Sequence, residues 1–109
     1  MTYDRLAAAV EEAGFFTTGD FVSKVICASK ERPEGGYTGN SFWIAKRTTG
    51  WFLGTWGQHV YRIPDPERVA DLCITWLRRR PEGTPFDVDG GIRDEFGLTE
   101  IDPDQLPSD

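Results

Sequence analysis

A single histidine, a single methionine and two cysteines are all that this chain offers in imidazole or sulfur chemistry. Cys27 and Cys73 are far apart and show no CxxC spacing. Together with His59 they make only three scattered zinc candidates, where a site needs about four clustered ligands. Nothing in the chain implies an oxidising compartment, so both cysteines are expected to be buried, reduced thiols. No apolar run approaches the ~20 residues that a membrane-crossing helix requires. The N-terminus, Met1 to Val10, is broken by charge early and lacks the basic start of a signal peptide. These absences point to a soluble, cytoplasmic protein with no membrane partner.

The motifs of common chemistries are missing too. No G-x-x-x-x-G-K-[ST] occurs, and no G-x-G-x-x-G opens a helix, so Gly35, Gly36 and Gly39 are read as turn residues and not as a phosphate cradle. Neither G-x-S-x-G nor H-E-x-x-H is present. Asp87 with Asp89, and Asp94 with Glu95, lack the regular oxygen-ligand spacing of a calcium loop, and helix capping accounts better for the first two. His59 has neither an orienting carboxylate nor a nucleophile in its local sequence, as a general base would need. No cofactor, metal site or catalytic residue is expected, and the chain reads away from an enzyme.

What remains is an ordinary globular composition, with 39% hydrophobic and 28% charged residues in 109. One domain over residues 1–101 is the natural reading, long enough to bury a core without disulfides or metal. Residues 102–109 read as an acidic, frayed tail. The net charge of −6 is uneven. From Glu82 onward nine acids face Arg93 alone, a net of −8, while the first 81 residues hold nine acids and eleven bases, a net of +2. Such asymmetry is either an interaction surface or a device for solubility.

The pattern along the chain is α+β. Residues 3–13 carry Leu6, Ala7, Val10 and Ala13 at helical spacing, with Thr2 as cap and Gly14 as stop. Phe15 and Phe16 follow as expected core anchors. Residues 21–29 read as the first strand, and the polar, Gly- and Pro-rich stretch 30–40 as a loop. Residues 41–63 hold three more strands of an antiparallel meander. A three-residue turn, Thr48-Thr49-Gly50, and a two-residue turn, Gly57-Gln58, would connect them. That register puts Phe42, Ile44, Lys46, Phe52, Gly54, Trp56, His59, Tyr61 and Ile63 on one face. It puts Trp43, Ala45, Arg47, Trp51, Leu53, Thr55, Val60 and Arg62 on the other.

The best-signed helix opens at Asp65-Pro66 and ends at Pro81, with Val69, Leu72, Cys73, Trp76 and Leu77 as its apolar stripe. A turn at 82–85 and a short helix around 88–96 follow, and then Leu98 and Ile101 as an extended segment. The expected fold is an N-terminal helix, a sheet of about four strands, a helix packed across it, and a short C-terminal helix. The expected core is Leu6, Val10, Phe16, Val25, Ile44, Phe52, Ile63, Val69, Leu72, Cys73 and Trp76.

Trp and Arg are the residues most enriched in binding hot spots. Trp43, Arg47, Trp51 and Arg62 are therefore the candidate partner-binding residues. Either they form an exposed patch, or a helix or the C-terminal segment covers them and the Trps are core. The first expectation for function is a small non-enzymatic binding module that engages a protein partner. It would use the aromatic and Arg face or the acidic C-terminal part. One specific form is an inhibitor or immunity-type protein whose acids block a basic active site. A homodimer through a strand edge or the Trp face is a further option. The alternative is a small-molecule-binding or enzymatic domain using the Gly-rich loop and the sheet, with Tyr37, His59 and Tyr61 as polar contacts. A third class is nucleic-acid binding through Arg78-Arg79-Arg80, Lys46, Arg47 and Arg62. The acidic total and the absence of an RNP-type run disfavour it.

Overall fold

Among the described residues, three helices pack into the core on one face of a six-stranded antiparallel sheet whose strands follow in chain order. The computed structural model describes residues 1–20, 24–29, 41–55, 59–79, 88 and 90–109. The expected loop at 30–40, Trp56, the Gly57-Gln58 turn, the stop at Pro81, the 82–85 turn and the capping acids Asp87 and Asp89 lie outside these residues.

Helix α1 (Tyr3–Glu12) starts where the Thr2 side chain accepts a hydrogen bond from the Arg5 amide. It ends in a Schellman motif. The Phe15 amide donates to the Val10 carbonyl, the Gly14 amide donates to that of Glu11, and Gly14 takes φ +97°. Leu6 and Val10, one turn apart, are its buried residues.

Within the expected strand 21–29 lies β2 (Val25–Ser29), residues 21–23 being outside the described residues, and it forms a hairpin with a further strand, β1 (Phe16–Asp20). Phe16 and Val25 are consequently half-buried rather than central to the core. Lys24, before β2, takes φ +55°, in the left-handed region.

Strand β3 (Ser41–Arg47) pairs with β2 and with β4 (Gly50–Thr55). Arg47 sits directly opposite Gly50, so the loop is Thr48-Thr49 alone and not the expected three residues. Gly50, at φ +147°, begins the strand instead of closing the turn. A one-residue slip turns every side chain of a strand over. Trp51, Leu53 and Thr55 therefore face the helices, and Phe52 and Gly54 face away, the reverse of the expected assignment. The next hairpin slips by one residue as well, because Leu53 pairs with Tyr61 and the Thr55 amide bonds to the His59 carbonyl. The two shifts cancel, so β5 (Val60–Ile63) keeps Tyr61 and Ile63 on the face of Phe42 and Ile44.

The Asp65 carboxylate accepts from the Glu67 amide, and a 3-10 turn (Pro66–Arg68) leads into α2 (Val69–Arg79). The expected stripe, Val69, Leu72, Cys73, Trp76 and Leu77, is buried. It packs with Leu6 and Val10 of α1 and with Phe42, Ile44, Trp51, Leu53, Tyr61 and Ile63 of the sheet. Trp76 stacks on Phe42 at 4.4 Å between ring centroids. Helix α3 (Gly90–Phe96) adds Ile92 and Phe96 to the same core. Arg68 ties it down by donating to the Glu95 carbonyl and lying over the Phe96 ring.

The chain then adds β6 (Thr99–Ile101) beside β5. A final 3-10 turn (Pro103–Gln105) follows, closed by a capping box between Asp102 and Gln105. No described helix is long and apolar enough to cross a membrane.

Candidate functional site

The face of the sheet away from the helices alternates with the core face, so its residues follow from the register. It carries Trp43, Ala45 and Arg47 of β3, Phe52 and Gly54 of β4, Val60 and Arg62 of β5, and Ile101 of β6. Ala45, Phe52 and Val60 form a second small core, with relative exposures of 0%, 5% and 3%. Val25, Trp43, Ile101 and Leu106 pack against them.

Three of the four candidate residues share this face. Trp43 is half-buried over Gly54, which leaves it no room for a Cβ. Arg47 is half-buried, and its guanidinium serves backbone oxygens. Nε donates to the Pro107 carbonyl at 2.7 Å, and Nη1 donates to the Lys24 carbonyl at 2.8 Å. Arg62 is exposed. Trp51 is on the opposite side, a consequence of the β4 register. It is a core residue in edge-to-face contact with Tyr3, at 5.8 Å between centroids.

The C-terminal segment reaches the same face. Leu106 packs on the second core, Pro107 accepts from Arg47, and the Asp109 carbonyl accepts from the Thr48 amide at 2.7 Å. Asp102, Asp104 and Asp109 are exposed along it. No local pattern in the sequence announces this docking, because it joins residues about sixty positions apart.

His59 finds the carboxylate that its local sequence lacks. Glu100 of β6 approaches its Nδ1 at 2.9 Å. Glu100 also lies 3.9 Å from the Arg93 guanidinium, which donates in turn to the Tyr61 hydroxyl. Both side chains of the His59–Glu100 pair are more than a third exposed, so the contact adds little stability. The contact runs from the residue before β5 to the edge strand β6. Cys27 and Cys73 are both buried and are not joined by a disulfide, and they lie on opposite sides of the sheet. Burial pushes the Cys73 thiol well above the ordinary thiol range and keeps it protonated and inert. Among the described residues no three His, Cys, Asp or Glu side chains gather as metal ligands do.

A groove of about 630 Å³ opens between α1 and the ends of β1, β2 and β3. Tyr3, Thr17, Gly19, Lys24, Lys46 and Arg47 are among its walls. These residues come from four places in the chain, and only their fold brings them together.

No family model, no curated protein and no solved structure matches this chain.

Proposed function

We propose that this chain is a non-enzymatic binding module that engages a basic protein partner. The contact surface is the one on which the C-terminal acids adjoin Trp43, Arg47 and Arg62. The observation that supports this reading is the docking of the C-terminal segment through Leu106, Pro107 and Asp109. It makes one continuous surface from two features that the sequence holds far apart. Asp102, Asp104 and Asp109 supply negative charge, exposed Arg62 supplies a polar anchor, and the half-buried Trp43 supplies apolar area. An inhibitor that covers a basic active site is one form of this reading, and its association would be steered by charge.

The test is affinity capture from native lysate with wild type, Arg62→Glu and Asp104→Asn. Both positions are exposed, so circular dichroism should be unchanged. The reading expects one stoichiometric protein that wild type retains, that either variant loses or weakens, and that elutes as salt rises. A protein retained equally by all three chains, or insensitive to salt, would sink the reading, as would no retained protein at all.

A further inference from the structure

We propose that the groove between α1 and the β1–β3 ends is a binding site for a small amphipathic anion, with an apolar body and one carboxylate or phosphate head. The groove shares Arg47 and Asp109 with the proposed partner surface, and the inference rests on three observations.

The first is size and lining. About 630 Å³ lies within the ~300–1,000 Å³ of small-ligand sites. Ala7, Val25 and Ile26 give it apolar wall, which suits a hydrocarbon or aromatic body.

The second is charge. The protein as a whole is acidic, at −6. Yet Lys24, Lys46 and Arg47 line it, against Asp4 and Asp109, with the Lys46 ammonium resting over the Trp51 ring and on the Met1 carbonyl and the Arg47 guanidinium on the Lys24 and Pro107 carbonyls. The local sign is therefore opposite to that of the molecule. By side chains the lining carries three bases and two acids, a net of +1, which favours an anionic over a cationic head group.

The third is how the cations are held. The Tyr3 hydroxyl accepts from the Lys46 amide at 2.6 Å and donates to the Lys24 carbonyl at 3.0 Å. Arg47 donates to that same Lys24 carbonyl. One phenol and one guanidinium thus fix the backbones of both lysines side by side. Lys24 is held at φ +55°, a conformation that a lysine avoids unless its surroundings impose it. Ligand clamps are one of the places where such conformations are found.

The experiment is an NMR titration of the full chain with octanoate, and with octanamide as its neutral counterpart. The expected result is that octanoate shifts the amide resonances of Tyr3, Thr17, Gly19 and Lys46, and that octanamide binds at least ten-fold more weakly. Lys24→Asn keeps a residue that tolerates the left-handed region while removing the charge. Combined with Lys46→Gln it should weaken octanoate at least ten-fold with the melting temperature held, whereas Lys46→Arg should retain binding. If the double variant fails to fold, Lys24→Asn alone carries the test with an expected loss of several-fold. Absent shifts at these amides, equal binding of octanamide, or full binding by the neutralised variant would each overturn the assignment.

Discussion

Trp43 lays its indole across Gly54, its direct partner on the neighbouring strand. The glycine has no side chain on the second face, and the ring fills the place that a side chain would take. A Cβ built on Gly54 would fall inside the indole. Gly54→Ala should therefore force Trp43 out and cost about 2 kcal/mol or more, read as a lower urea midpoint. In a Trp43→Ala background the same substitution should cost much less. Equal costs in both backgrounds would contradict the packing.

Arg47 joins three parts of the chain, because its guanidinium reaches the Pro107 and Lys24 carbonyls from β3. A lysine has one donor head and cannot span both oxygens with the same geometry. Arg47→Lys should cost about 1–2 kcal/mol in denaturant unfolding, toward the low end for hydrogen bonds to charged groups because the bond to Lys24 is exposed.

Tyr3 ties α1 to the sheet through its hydroxyl, which bridges the Lys24 carbonyl and the Lys46 amide. Tyr3→Phe keeps the edge-to-face contact with Trp51 and removes the bridge. The expected loss is about 1 kcal/mol, with faster hydrogen exchange at the Lys46 amide. Unchanged exchange there would show that the hydroxyl bridge is not made in solution.

Cys73 gives a pH signature. Its folded-state pKa lies above the unfolded value near 8.5, because burial disfavours the thiolate. A raised pKa means that the contribution is whole below the unfolded value and is lost as pH rises beyond it. The stability gap between wild type and Cys73→Ala should be constant up to about pH 8 and narrow above pH 8.5. Its limiting slope is about 1.4 kcal/mol per pH unit. A gap that stays constant to pH 10 would contradict the burial.

The helices were legible because their ends are written in local chemistry. Asp65-Pro66 and Gly14 act on the backbone next to them, and the Val69 to Leu77 stripe needs only the helical period. The sheet was legible as a class but not in register. Thr48-Thr49-Gly50 supports a two- or three-residue loop, and the choice turns β4 over, moving Trp51 into the core and Phe52 out of it. Six strands stand where about four were expected, because β1 is the polar run Phe16-Thr17-Thr18-Gly19-Asp20 and β6 has three residues. Neither has the alternation that marks a strand. Of the candidate surface, Trp43 and Arg47 share a face by the period-2 rule, whereas Arg62 joins them only because the two register shifts cancel. The docked C-terminal segment, the His59–Glu100 pair and the groove all depend on contacts distant in sequence, on which local patterns are silent.

The proposed surface requires the C-terminal segment to be part of the second face. The direct measurement is hydrogen exchange at the Thr48 amide, which donates to the Asp109 carbonyl. A docked segment gives protection in the full chain and loss of that protection in a chain ending at Asp102, with the β3 and β4 core amides unaffected. Exchange of Thr48 at the unprotected rate in the full chain would mean that the acids and the Trp43–Arg62 face are separate, and the proposed surface would fall with them.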